Sequence, residues 1–196
     1  MSSSYTISDK DFDTILSIAY NELEPRRVLH SVSCGMVLSH LLPSFGYKNA
    51  LSLSLMHDRA HHWSEEKLFA FIKEHNIPLE KGEDENYMLL HAPVGAFLLR
   101  ETVPSVPNNW VTAIRRHTVP SSDMDELSYA LFVADIIEPT RPFITDEDRE
   151  KVYSMKNNTV RFIYTLEKQE IFLKKNGSSH LECTKLLYNS LKSAII

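Results

Sequence analysis

Apolar residues recur at helical spacing along most of the 196-residue chain, and this periodicity is the strongest constraint on the fold. No Asn-Gly or Asp-Gly pair lies between two alternating runs, so the sequence carries no hairpin signal. We predict an all-α fold in a single domain over 1–196, a length that suffices for one buried core. The core is expected over about 23–143 and the C-terminal helices over about 145–195.

Caps and helix breakers divide this pattern into individual helices. Ser64 precedes two acidic residues, and Thr145 stands three residues before Asp148; both are signals of a helix start. The polar stretch over 78–86 is predicted to be a loop. The predicted helices cover 8–22, 25–42, 48–62, 64–75, 88–101 and 107–117, a segment capped by Ser122 or Asp123, a segment starting near 146, and two more separated by Gly177.

Composition excludes several classes of function. The net charge of −5 does not suit a broad nucleic-acid or anionic-membrane surface, so we expect neither partner. Glycine is scarce, at 5 residues, and neither glycine-rich phosphate-binding motif occurs. Cys34 and Cys183 lie far apart, in no metal or redox spacing. Without a signal-peptide pattern or an apolar run of about 18–20 residues, the chain is expected to be cytoplasmic.

Two acidic residues occur in strongly apolar predicted helices. Asp58 ends the stretch NALSLSLMHD, and Asp135 lies in LFVADII. Burial of an unpaired carboxylate is costly, so both acids need a partner. A shared metal cation is the simplest common partner, and His57, directly before Asp58, is a suitable further ligand.

The chain has 9 histidines, and their neighbours divide them into two groups. We assign no metal role to those at helix ends or in polar surroundings, which are His40, His62, His75 and His180. Taken alone, a histidine in an apolar helix is more often an ordinary core residue than a ligand. Together with the two acids, however, four of the five remaining histidines predict metal-assisted hydrolysis of a phosphoester or phosphoanhydride; the set is His30, His57, Asp58, His91, His117 and Asp135.

The stretch HDRAH offers a competing interpretation. His57 and His61 would lie one helical turn apart, as in the two-histidine zinc helix of metalloproteases. The general base would then be Asp58, which is one methylene shorter than the required glutamate. This interpretation also leaves the distant histidines and Asp135 unexplained, and we favour it less.

Five motifs carry a family resemblance that extends from about Arg26 to the C-terminus. They are RRVLHS (26–31), LMHD (55–58), LLHAPVGAFLL (89–99), AIRRHT (113–118) and VADIIEPTR (133–141). With these motifs the chain resembles the HD-superfamily metallohydrolases, and specifically the YqeK-type symmetrical diadenosine tetraphosphatases. The resemblance implies a single HD-domain helical bundle.

The resemblance also implies two metal ions, commonly iron, in a binuclear centre. The first ion would be bound by His30, His57, Asp58 and Asp135, and the second by His91 and His117, with Asp58 as the bridge. The implied reaction is hydrolysis of diadenosine tetraphosphate at its central anhydride, which yields two molecules of ADP.

Residues near these ligands are candidates for catalysis and substrate binding. Asp58, His61 and Arg26 are the predicted catalytic residues. Arg26, Arg141 and Thr118 are the predicted contacts to substrate, with the arginines binding distal phosphates. For each arginine the alternative is a solvated surface cation. Weaker candidates are Arg115 and Arg116.

Two sites depart from the family pattern. His61 stands where relatives usually have lysine, and Val119-Pro120 stands where they commonly have Thr-Gly. Histidine is charged only part of the time near neutral pH, and proline cannot adopt the glycine conformations. We predict retained metal binding with an altered rate or substrate preference.

Two alternatives remain open. One is an HD-domain nucleotidase or phosphatase for nucleoside mono- or diphosphates, and the other is a catalytically weakened nucleotide-binding protein. In each case the bound molecule is a small nucleotide. The sequence is also compatible with a homodimer.

Overall fold

Ten α-helices make up most of residues 5–195, the part of the chain that this computed structural model describes. Within that range there is no β-strand, so the all-α prediction is confirmed. Three short 3₁₀ turns connect helices, at Pro43–Phe45, Glu83–Glu85 and Tyr87–Leu89. The helices are α1 (Asp9–Glu22), α2 (Pro25–Leu41), α3 (Tyr47–His57), α4 (Glu65–His75), α5 (His91–Thr102), α6 (Asn108–Arg116), α7 (Glu126–Ile137), α8 (Asp146–Ser154), α9 (Asn158–Lys175) and α10 (Glu182–Ile195).

Two predicted helix starts are confirmed by their hydrogen bonds. The Ser64 side chain accepts from the Lys67 amide at the start of α4. Thr145 and Asp148 form a reciprocal capping box at the start of α8. The predicted cap of α7 is wrong, because its N-cap is Asp125, which accepts from the Ser128 amide at 2.9 Å. Asp123 is paired instead with Arg116, at 2.7 Å.

Helix α3 is shorter than predicted, since it ends at His57 rather than near 62. The residues that follow form tight turns, in which the His61 amide donates to the Asp58 carbonyl at 2.9 Å. Asp58 itself has φ −103° and ψ 13°, between the helical and extended regions, where active-site residues are often found. The backbone therefore leaves the helix at the residue predicted to bridge two metals.

Helix α3 lies at the centre of the molecule and is buried on nearly all sides, as its apolar sequence predicted. Two glycines allow its neighbours to approach closely. A Cβ at Gly35 of α2 would lie 3.0 Å from the Leu51 Cα, and one at Gly95 of α5 would lie 3.2 Å from the His57 carbonyl oxygen. These contacts bring α2 against the middle of α3 and α5 against its C-terminal end.

The remaining helices complete the core around α3. Helices α6 and α7 pack beside α2 and α5, and α9 covers α7. A smaller apolar cluster joins α4 to α5 through Leu68, Ile72 and Val94. Among the described helices, none has both the length and the apolar character needed to cross a membrane.

Candidate metal centre

The structure brings the six predicted ligands together at the junction of five helices. His30 lies in the middle of α2 and Asp135 in α7, whereas the others lie at helix ends: His57 and Asp58 at the end of α3, His91 at the start of α5 and His117 after α6. All six are buried, with exposed fractions between 0% and 8%. The positions of three of the four histidine side chains therefore depend on where a helix begins or ends.

Asp58 lies between two groups of ligand atoms. Its Oδ2 is 3.4 Å from His30 Nε2 and 3.5 Å from His57 Nε2. Its Oδ1 is 3.2 Å from His91 Nε2 and 3.7 Å from His117 Nε2. In each group the three ligand atoms lie within 4.8 Å of one another. One carboxylate thus faces two potential cation positions.

Asp135 belongs to the first group alone. Its Oδ1 is 3.0 Å from His30 Nε2 and 3.7 Å from His57 Nε2. The first group therefore has two imidazoles and two carboxylates, and the second has two imidazoles and the shared carboxylate.

Hydrogen bonds orient all four imidazoles. His57, His91 and His117 each direct Nδ1 at the carbonyl oxygen three residues earlier, at 2.5, 2.6 and 2.7 Å. The Nδ1 of His30 lies 2.9 Å from Oε1 of Glu138, a fully buried carboxylate that the sequence did not suggest. When Nδ1 donates in this way, Nε2 presents its lone pair to the centre, the usual arrangement behind a metal-binding histidine.

The donor set fits metal ions. The Nε2 atoms of His30 and His57 are 3.3 Å apart, and those of His91 and His117 are 3.0 Å apart. With Nδ1 protonated, neither pair has a proton between its two lone pairs, so a cation in each group would satisfy them. Imidazole and carboxylate donors suit several divalent transition metals.

The electrostatics keep both carboxylates ionised. Burial raises the pKa of Asp58, but the neighbouring His57, His117 and His91 outweigh it and hold that pKa well below its usual range. For Asp135, burial is likewise outweighed, chiefly by Arg141, so its pKa also lies well below the usual range. The centre therefore retains two negative charges in its interior.

Of the two adjacent arginines, Arg27 reaches the centre and Arg26 does not, and a functional role for Arg26 stays a prediction. Arg27 Nη1 donates to Asp58 Oδ2 at 2.6 Å, and its Nη2 lies 3.2 Å from His61 Nδ1. Arg26 is exposed and has no ion pair or side-chain hydrogen bond within residues 5–195. Positions 26 and 27 both lie about one turn before His30, and α3 happens to pack on the side of Arg27.

Arg141 also lies at the centre. Its guanidinium donates to the Asp135 side chain and, at 2.9 Å, to the Asp135 carbonyl oxygen. Thr118 donates its hydroxyl to the Leu89 carbonyl at 3.3 Å, just before His91. Their roles toward substrate stay predictions.

His61 lies beside the second group without joining either. Its ring centroid is 4.9 Å from that of His91. Burial, with a smaller contribution from the positive charge of Arg27, lowers the pKa of His61 to about 4, so the ring is neutral near pH 7. Because the turn after Asp58 takes His61 off the α3 helix, the zinc-helix geometry does not form.

The weaker arginine candidates are engaged elsewhere. Arg115 forms a bidentate pair with Glu83, and Arg116 pairs with Glu80 and Asp123. The loop after His117 is covered by α10, because the Thr184 hydroxyl donates to the Pro120 carbonyl at 2.8 Å. Across residues 5–195, no further histidine belongs to a group that could hold a metal ion.

Comparison with known proteins first defines the class. A solved structure from Clostridium acetobutylicum, described as a predicted HD superfamily hydrolase involved in NAD metabolism, superposes with a TM-score of 0.80. It covers 97% of this chain and 100% of that chain at 24% identity. The two proteins therefore share the same all-α fold over nearly their whole lengths.

Sequence comparison then gives the family. The chain is 30% identical over 181 residues to the symmetrical bis(5'-nucleosyl)-tetraphosphatase of Bacillus subtilis (strain 168), covering 91% of this chain and 96% of the relative. A protein of the same name from Halalkalibacterium halodurans is 35% identical over 104 residues, or 53% of this chain and 54% of the relative. No family model matches. The chain belongs to the symmetrical bis(5'-nucleosyl)-tetraphosphatase family, and the prediction of a hydrolase is confirmed.

Proposed function

We propose that this protein hydrolyses diadenosine tetraphosphate at its central anhydride and releases two molecules of ADP. The observation that carries the proposal is the position of Asp58, whose two oxygens face separate histidine pairs. The substrate is proposed from the names of the two relatives, both symmetrical bis(5'-nucleosyl)-tetraphosphatases.

Two metal ions, for which we propose iron, would supply Lewis acidity and a water of near-neutral pKa for attack on phosphorus. His30, His57, Asp58 and Asp135 would bind the first, and His91, His117 and Asp58 the second. The hydrogen bonds at Nδ1 hold each imidazole in the tautomer needed for binding.

Arg27 and Arg141 are the proposed phosphate-binding residues. Arg27 lies on α2 and contacts Asp58, whereas Arg141 lies in the loop after α7 and contacts Asp135; their side chains are 25% and 30% exposed. Each guanidinium therefore has donors left for an anion from solvent. A polyphosphate that enters the centre would meet both arginines beside the first group, while Thr118 borders the second group.

Product analysis tests this proposal. We expect about two transition-metal ions per chain after purification without added metal, and ADP as the sole product from diadenosine tetraphosphate. Protein stripped of metal by a chelator serves as the control and should be inactive until metal is restored. Release of ATP together with AMP would refute symmetrical cleavage.

A second candidate function is favoured by one specific feature, the neutral His61 beside the centre. Without a permanent cation at that position, the site would suit a shorter nucleoside mono- or diphosphate. Parallel assays with these nucleotides distinguish the two candidates. Absence of turnover with every nucleotide, despite measurable binding, would favour a nucleotide-binding protein.

The cellular setting is proposed on the same basis. We propose a cytoplasmic enzyme that acts on a small dinucleoside polyphosphate without a nucleic-acid partner, consistent with the net charge of −5. Homodimer formation stays a prediction that light scattering can test.

A lysine at position 61 is expected to raise turnover of diadenosine tetraphosphate several-fold. The His61→Lys change would place a permanent cation beside His91, where the present ring is neutral. His62→Lys, at the adjacent exposed position, is the matched control. A lower rate for His61→Lys would show instead that Arg27, 3.2 Å away, already supplies the cation and repels a second one.

A further inference from the structure

The two halves of the centre are supported differently. In the first group only His57 lies at a helix end, whereas His30 and Asp135 lie within α2 and α7; α2 packs against both α3 and α7. His91 and His117 stand at the start of α5 and just after α6. A helix end is held less firmly by its own backbone than a helix interior, so the second group needs support from elsewhere.

Segment 78–90 provides that support, and Glu83 is its anchor. Glu83 has an exposed fraction of 0%, although it lies in a polar stretch. Its Oε1 accepts from Arg115 Nη1 at 2.8 Å, and its Oε2 accepts from Arg115 Nη2 at 2.6 Å. The Glu80 amide donates to the same Oε2 at 2.8 Å. Such a bidentate, buried pair is strongly orienting.

The anchor lies immediately beside a metal-binding candidate in the sequence. Arg115 and Arg116 are the two residues before His117, and both pair with the segment: Arg115 with Glu83, and Arg116 with Glu80 at 2.6 Å. The last turn of α6, directly before His117, is thus held against the segment by two ion pairs.

The other end of the segment contacts His91 and the residue that follows His117. The Met88 carbonyl accepts from His91 Nδ1 at 2.6 Å, and the Leu89 carbonyl accepts from the Thr118 hydroxyl at 3.3 Å. The segment therefore contacts His91 directly and the residues on both sides of His117. In the first group, by contrast, the Nδ1 partners are the Ser54 carbonyl and Glu138, which lie outside the segment.

We infer that Glu83 is a positioning residue that holds segment 78–90 so that His91 and His117 can bind the second metal ion. The inference rests on the proposed two-metal function and goes beyond it, since it assigns the two positions separate structural supports. Loss of the Glu83–Arg115 pair would loosen the second position and leave the first intact. Changes behind metal ligands typically cost 10–100-fold in affinity.

The test is Mn²⁺ binding to metal-stripped protein, measured by calorimetry and electron paramagnetic resonance. Wild type is expected to bind about two Mn²⁺ per chain, with the spectrum of a coupled pair. Glu83→Gln removes the charge while preserving size, and should bind one Mn²⁺ with wild-type affinity and the second about 10–100-fold more weakly. The coupled spectrum should give way to that of an isolated ion.

Two controls separate positioning from general destabilisation. Glu167→Gln also removes a carboxylate from an ion pair, with Lys192 between α9 and α10, and should retain both ions. Leu166→Ala creates a cavity in the core and lowers the free energy of unfolding, yet should also retain both ions. If Glu83→Gln does not fold, Arg115→Lys keeps one charged contact and should show a smaller loss at the second position only.

Hydrogen exchange on metal-free protein provides a readout that needs no metal. Amides of segment 78–90 should exchange faster in Glu83→Gln, whereas those of α2, α3 and α7 keep their protection. Wild-type affinity at both positions, or an equal loss at both, would overturn the inference while leaving the two-metal function standing. A wild-type stoichiometry below two would overturn the two-metal function and this inference together.

Discussion

Asp58→Ala is expected to abolish binding of the second metal ion, to weaken binding of the first and to lower turnover by at least about 10³-fold. The reason is geometric, because Asp58 is the one residue that belongs to both ligand groups in the described part of the chain. With it removed, the second group keeps two imidazoles, and the first loses one of its two carboxylates. Metal analysis and single-turnover assays measure the two effects.

Two further substitutions make this experiment specific. Asp135→Ala removes a carboxylate that faces His30 and His57 alone, so it should weaken one metal position and spare the other. Asp9→Ala breaks the exposed pair with Lys48 and should change neither metal content nor turnover. If Asp58→Ala retained two ions per chain, Asp58 would not be the bridge.

Arg27→Ala is expected to lower kcat/KM by about 10–100-fold, whereas Arg26→Ala should change it by less than about twofold. Hydrogen bonds to charged groups contribute about 1.5–3 kcal/mol, which converts to that range. Arg27 donates to Asp58 at 2.6 Å, while its exposed neighbour makes no such contact. The adjacent arginine is thus a control of the same charge on the same helix.

Metal content shows how Arg27 acts. If it binds substrate phosphate, Arg27→Ala should keep both ions and raise KM more than it lowers kcat. If it only orients Asp58, the variant should lose metal affinity and Arg27→Lys should restore much of it. A larger effect from Arg26→Ala than from Arg27→Ala would support the prediction that Arg26 is the functional residue.

The fold class and the six candidate ligands could be predicted from the sequence, because they follow from residues a few positions apart or from the cost of burying a charged group. Helical periodicity and the caps at Ser64 and Thr145 depend on residues a few positions apart. Asp58 and Asp135 stood out because buried carboxylates require partners wherever they occur, and the structure supplies them. The wrong end of α3 has a local origin too, since residues 58–62 contain no glycine or proline to mark a helix end, while the backbone turns at Asp58.

Other features depend on how distant helices are rotated and packed. Periodicity places Arg26 and Arg27 equally near His30, and the packing of α3 against α2 selects Arg27. Glu138 looked like part of a motif, yet its role behind His30 depends on a contact across 108 positions. Glu83 looked like one acid in a solvated loop, and is fully buried against Arg115. Local sequence specifies which residues are costly to bury, whereas the partner that offsets the cost is set by helix packing, which acts between residues far apart in the chain.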